Sequence, residues 1–236
     1  LEEVGPSDRH HTFFEMLGNF SFGDYFKLEA MEFAWQLLTQ VYEMPADRLA
    51  VTIYEKDDES YDLWHEKIGV PKSRIARLGA KDNFWQMAET GPCGPNTEIH
   101  WDKYPERGED DIIPSLEADD DRFTEIWNLV FMQFNRTQPD PENTGQYDEP
   151  LPNPGVDTGM GLERVATVLQ GGEANYDTDL FMPIMRLTQE LAGMTDEERE
   201  ANPVPFRVIA DHVRAAVNLP DFDVRDTIGE EQLLFA

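Results

Sequence analysis

Residues 10–27 alternate with a period of two. Phe13, Glu15 and Leu17 fall on one side, and Thr12, Phe14 and Met16 on the other, with Gly18-Asn19 and Gly23-Asp24 as turn signals. This predicts a strand, a turn and a lead into a helix. Over residues 25–41 the apolar spacing becomes helical, through Phe26, Met31, Ala34, Leu38 and Val41. Residues 49–54 predict a short strand, and 59–68 a helix stopped by Gly69 and Pro71. Three more strands are predicted at 83–87, 98–101 and 125–134, and helices at about 161–169, 178–191 and 206–217. Two stretches lack either period: the acidic segment 103–122, and 137–154, rich in Pro, Asp, Glu and Asn. Both are expected to be surface loops. Strands followed by helices, with hairpin-like connections, predict an α+β fold: an antiparallel sheet flanked by helices.

Composition narrows the class. With 236 residues, 40% apolar and 11% aromatic, the chain can build one substantial core. No apolar run approaches a membrane span, and no signal peptide opens the chain. The first residue is Leu1 with no initiator Met, so a piece of a longer protein is expected. The net charge of −29 argues against a self-sufficient nucleic-acid binder, which needs a basic stripe to neutralise phosphates. It fits a solvated surface suited to high salt, or a part of a larger protein that is not the part gripping RNA. The acid clusters at 109–111 and 117–121 read as exposed loops, not metal cages. Cys93 is the one cysteine, which excludes an internal disulfide and a multi-cysteine zinc site and suits the cytosol. Asn19-Phe20-Ser21 and Asn135-Arg136-Thr137 match glycosylation acceptors, with no secretory signal beside them.

Several residues carry candidate chemistry. On the strand at 125–134, Ile126, Asn128, Val130, Met132 and Phe134 share a face, and Asn128 is its one polar member. A buried amide must be hydrogen-bonded. It either ties down a neighbouring loop or orients a small ligand. Trp85 precedes two Gly-Pro pairs, Gly91-Pro92 and Gly94-Pro95, read as a rigid turn; it is core or the wall of a pocket. Cys93 has no base beside it and reads as a small apolar filler. His10 and His11 alternate in direction, and His65 and His100 lack ligand spacing, so no protein-held transition metal is expected. Val156 to Arg164, reading VDTGMGLER, has opposite charges around Gly159 and Gly161 and opens an apolar-periodic run. It predicts a turn-to-helix junction where backbone can approach a ligand. Asp157 is an ammonium ligand or a helix N-cap. Arg164 is a phosphate clamp or a partner of Glu163 or Asp157.

Six stretches together resemble one family. They are RHHTFFEMLGNFSFGDYFK (from Arg9), TGPCGPNTEIHWD (from Thr90), EIWNLVFMQFNR (from Glu125), VDTGMGLERV (from Val156), NYDTDLF (from Asn175) and RVIADHVRA (from Arg207). In this order, over nearly all of the first 217 residues, they resemble the catalytic domain of the alanyl-tRNA synthetases. The resemblance implies a class II synthetase-type antiparallel sheet flanked by helices. It implies activation of L-alanine with ATP, with Mg2+ bound alongside ATP, and transfer to the 3′ end of an alanine tRNA. It further implies an ATP set of His11, Trp85, Ile126, Trp127, Asn128, Gly161 and Arg164. The implied alanine set is Trp85, Asn128, Val130, Asp157 and Gly159, with Arg164 the class II motif 3 arginine. No zinc site and no editing domain are expected here. The family's motif 1 and motif 2 arginine would precede Leu1, so the isolated chain is expected to activate alanine poorly. The tail at 218–236 departs from the family, and the main tRNA contacts are expected elsewhere. Oligomeric state is not legible. The competing reading, from another class, is a non-catalytic domain that keeps the fold and binds nucleotide, amino acid or a protein partner.

Overall fold

A computed structural model of the chain describes residues 2–218, which fall into two units: one of residues 16–160, the other of 2–15 with 161–218. The tail discussed above lies, from residue 219, outside the described residues.

The larger unit is built on one sheet. Its elements are β1 (Met16–Leu17), β2 (Phe20–Phe22), α1 (Lys27–Gln36), β3 (Leu49–Tyr54), α2 (Asp58–Asp62), β4 (Ile75–Leu78), α3 (Ala80–Asn83), β5 (Phe84–Gln86), β6 (Gly91–Asp102), α4 (Ile112–Glu117), β7 (Phe123–Arg136) and β8 (Asp148–Gly161). The strand order is β1-β8-β7-β6-β3-β4, with β2 also on β8 and β5 also on β6. The pairs β2/β8, β3/β6, β5/β6, β6/β7 and β7/β8 are antiparallel, as expected. β3/β4 is parallel. A parallel pair needs a long crossover, and α2 with the π-helical turn Leu63–Ile68 supplies it. All six residues of β3 are buried, the mark of a central strand covered on both faces.

Four expectations need correcting. First, 10–15 is not a strand. The Thr12 N–H donates to Asp211 and the Glu15 N–H to Glu163, so side chains take the donors a ladder would use. Pairing begins only at β1. Second, the Gly-Pro pairs are no turn but the first half of β6. Gly94 lies so close to β7 that a Cβ there would stand 2.0 Å from the Phe131 carbonyl oxygen, and the ladder shifts register between Cys93 and Asn96. Glycine at a strand bulge allows both. Third, the acidic segment 103–122 is anchored. Ile112 and Leu116 of α4 pack with Ala50, Ala76 and Phe123 in one cluster. Arg122 is fully buried and grips Asp102 through two hydrogen bonds of 2.9 and 2.7 Å. Fourth, residues 148–154 belong to β8, where Pro150 pairs with Phe134. There β8 pairs only with β7, while β2 covers it from Gly155 onward, so the prolines sit on an edge.

The smaller unit contains α5 (Leu162–Gln170), α6 (Met182–Ala192), α7 (Asp196–Ala201) and α8 (Val204–Asn218). Ala174, Tyr176, Phe181, Met185, Phe206 and Ala210 form its core. Helix α7 has no apolar stripe to reveal it. A capping box starts it, with Thr195 Oγ1 accepting from the Glu198 N–H and Glu198 accepting from the Thr195 N–H.

Candidate functional site

Residues paired across an antiparallel ladder share a face, and neighbours along a strand do not. The registers Thr52↔Glu98, Glu98↔Asn128, Asn96↔Val130, Val130↔Asp157 and Asn128↔Gly159 therefore put one polar face across β3, β6, β7 and β8. From the sequence, Asn128 was alone on its face. The sheet surrounds it with Asn96 and Glu98 on one side and brings Asp157 into the same face from β8.

The side chains on this face are tied to one another. Asn96, buried, donates from Nδ2 to Asn128 Oδ1 at 2.9 Å and to Glu98 Oε1 at 3.4 Å. Glu98 Oε2 accepts from Thr52 Oγ1 at 3.3 Å and lies 3.3 Å from His100 Nε2. Burial pushes the Glu98 carboxyl up, and the adjoining His100 draws it part of the way back. Asn128 is thus held by a neighbouring strand, where a loop had been the structural alternative.

Asp157 is half-buried, and burial alone raises its carboxyl above the usual carboxylate range. Among the described residues, no hydrogen bond or ion pair reaches this carboxyl. It stands in β8, with α5 starting only at Leu162, so the N-cap alternative falls and the turn-to-helix junction lies past Gly161. Val130 beside it is buried. Gly159 must stay small: a Cβ there would stand 2.6 Å from Met16 Sδ. Met16 therefore lies over the same face, a neighbour that the alternation at 10–17 gave no reason to single out.

The other expected site residues of this unit lie on β5 and β7. Trp85 is half-buried on β5, opposite Gly94. Ile126 is buried at a register shift, where β7 carries one residue more than β6 between Trp127/Ile99 and Glu125/His100. Trp127 pairs with Met160 and turns to the face opposite Asn128. It lines a cavity of about 420 Å3 with Leu17, Tyr25, Phe33, Tyr42 and Met160. Strand alternation therefore separates Trp127 from Asn128, although both belonged to one expected ATP set.

The smaller unit holds His11, Gly161 and Arg164. The His11 ring is buried against Phe181, with centroids 4.8 Å apart, and against Tyr176. Its Nε2 meets Asn175 Nδ2 at 2.9 Å, and its Nδ1 lies 3.6 Å from Asp211. Burial raises the Asp211 carboxyl, but contacts from His11 and Thr12 outweigh it and the net shift is downward. His11 is thus packed as a core residue of its unit, with both ring nitrogens turned to protein groups. At Gly161 a Cβ would make only ordinary contact, 3.6 Å from the Arg164 chain, so packing does not require glycine there. Arg164 stands half-buried in the first turn of α5, and its neighbour Glu163 is buried against Arg214 at 2.5 Å. Cys93 is buried with its thiol pushed up to about 11, which suits a filler and not a thiolate nucleophile.

Comparison with known proteins agrees in extent with this layout. A family model described as tRNA synthetases class II (A) matches residues 1–220. An alanine–tRNA ligase of Bordetella petrii is 53% identical over 230 residues, covering 93% of this chain and 25% of that protein. One from Desulfosudis oleivorans is 53% identical over 221 residues, covering 93% and 24%. One from Stenotrophomonas maltophilia is 54% identical over 222 residues, covering 91% and 24%. The chain spans about a quarter of the length of the curated relatives it matches.

Proposed function

The chain belongs to the tRNA synthetases class II (A), and from that membership we propose that it forms part of the catalytic core of an alanine–tRNA ligase. The observation that carries the reading is Asp157, a half-buried carboxylate with no partner among the described residues, one ladder step from the Asn128 amide. An anion desolvated without a counter-charge is costly, and an amino-acid ammonium supplies that counter-charge. Val130, buried, and Gly159, with Met16 over it, are assigned to closing round a small side chain. Trp85, half-buried, is assigned to the wall of the pocket. A pocket shaped for one methyl group rejects larger side chains by sterics but discriminates weakly against glycine or serine.

In the proposed reaction an alanine carboxylate oxygen attacks the α-phosphorus of ATP. A P–O bond forms, the bond to pyrophosphate breaks, and alanyl-adenylate results. A hydroxyl of the tRNA 3′-terminal adenosine then attacks the acyl carbon, and AMP leaves. Positioning and charge neutralisation dominate such chemistry. Arg164 is assigned to the far phosphates, Gly161 to close backbone approach, and Asn128 to ATP as well as alanine. Mg2+ would arrive on the ATP phosphates, since it keeps its waters and favours phosphate oxygens. Among the described residues no group of three His, Cys, Asp or Glu is placed to hold a metal. Ile126 is kept as a nucleotide neighbour. Trp127 is assigned to the opposite side of the sheet, and His11 to holding the segment before β1. No helix among the described residues is long and apolar enough to cross a membrane, and the buried, unpaired Cys93 suits a cytosolic setting.

The test is a titration of L-alanine followed by backbone amide NMR. Shift changes centred on Asn128, Val130, Asp157 and Gly159 are expected. Changes confined to other strands, or none at millimolar alanine, would contradict the proposal.

A further inference from the structure

The polar face contains a chain of groups whose donor and acceptor roles constrain one another. Glu98 Oε2 faces Thr52 and His100, while Oε1 faces Asn96. Any proton the carboxyl carries sits best on Oε2, next to the His100 ring nitrogen, which leaves Oε1 an acceptor. Asn96 must then turn its NH2 group toward Glu98. The same NH2 group serves Asn128 Oδ1 at 2.9 Å. Asn128 in turn must keep its oxygen inward.

The geometry points to Asn96, held by Glu98, as a positioning residue that fixes the Asn128 amide with its oxygen toward the sheet and its NH2 group toward the ligand. This rests on the reading of Asn128 as a ligand-binding group. An amide placed this way offers donors only, which suits a carboxylate or acyl oxygen of the amino acid. Asp157, on the next strand, offers an acceptor to the ammonium. The two ends of the amino acid are then distinguished by opposite hydrogen-bond polarity on adjacent strands. Without Asn96, Asn128 could turn over at little cost and present its oxygen, which would repel the carboxylate.

Asn96→Asp tests this directly, because it keeps the side-chain size and makes it acceptor-only. Asn128 would then turn its NH2 group inward. Calorimetric titration of L-alanine into the full polypeptide carrying this chain is expected to show Kd raised ~10- to 100-fold, the value of a charge-assisted hydrogen bond. Asn96→Leu leaves Asn128 free to turn either way and is expected to cost less, about threefold. Equal binding by Asn96→Asp and the parent overturns the proposal. So does a leucine variant that loses as much as the aspartate one, since that marks a merely structural role. Asn128→Ala separates the two layers: parent-like binding by that variant defeats the reading of Asn128 itself. Impaired binding there, with unaffected Asn96→Asp, defeats only the positioning role. Should Asn96→Asp fail to fold by thermal unfolding, Glu98→Gln replaces it. A gain of several-fold in Kd is then expected, and unchanged binding overturns the proposal.

Discussion

Replacing Asp157 by asparagine should separate stability from binding. The carboxylate is half-buried, its carboxyl is raised by burial alone, and no described residue compensates it. A carboxyl raised in the folded state binds more protons folded than unfolded near its titration. Its ionisation therefore works against folding: stability is fullest below the unfolded value and falls as pH rises through the folded one. Asp157→Asn removes that charge at nearly constant shape. At pH 7 the variant should be more stable by about 1 kcal/mol, the usual gain at such functional strain points. For a chain of this size that is a rise in Tm of roughly 2–4 °C. Toward pH 3 the parent carboxyl is protonated too, and the difference should vanish. Alanine affinity should move the other way. Losing a charge-assisted hydrogen bond costs about 1.5–3 kcal/mol, a ~10- to 100-fold rise in Kd. Differential scanning calorimetry at both pH values and calorimetric alanine titration read these effects. A variant that is less stable at neutral pH while binding alanine as before would refute the reasoning, because Asp157 would then be a structural group.

Other outcomes follow from the fold. Asp102→Asn breaks a pair buried to 0% on both sides and leaves Arg122 only the part-exposed Asp111 as counter-charge, so urea unfolding should show a loss of about 3 kcal/mol; a loss under 1 kcal/mol would contradict the buried pairing. Leu116→Ala, in the acidic segment, should cost about 2–5 kcal/mol by the same assay, whereas a solvated loop would lose almost nothing. The net charge of −29 repels itself, and the screening length shrinks from about 10 Å at 0.1 M salt to about 3 Å at 1 M. Raising NaCl over that range should therefore lift Tm by the order of 5 °C, and a flat or falling curve would contradict the self-repulsion.

What the sequence revealed follows from local pattern. β3 was legible to the residue, because its apolar run is bounded by turn signals. The helical stripe of α8 was legible to within two residues. Segments whose structure depends on distant partners were not. Ile112 and Leu116 sit among acids and read as loop until Ala50 and Ala76 are brought beneath them. The glycines and prolines of β6 read as a turn because close approach of Phe131 is invisible in one strand. At the site, Asn128 stood out as the one polar member of its face, and Asp157 as a charge beside a pair of glycines. Asn96 and Glu98 did not, since nothing local says which strand they face. Met16 emerged only from its contact with the space Gly159 leaves. His11, carried by likeness alone, is packed within its own unit. Alternation along β7 already separated Trp127 from Asn128, and the sheet makes that separation physical.

The central claim is that the polar face from β3 to β8 holds alanine while it is joined to AMP. Amino-acid-dependent ATP–pyrophosphate exchange, measured on the full polypeptide carrying this chain with each of the twenty amino acids, tests it most directly. The expected result is strong exchange with alanine, weak exchange with glycine and serine, and none with valine or larger residues, with the alanine signal reduced in Asp157→Asn. Exchange favouring a larger amino acid, or no exchange with any, would contradict it.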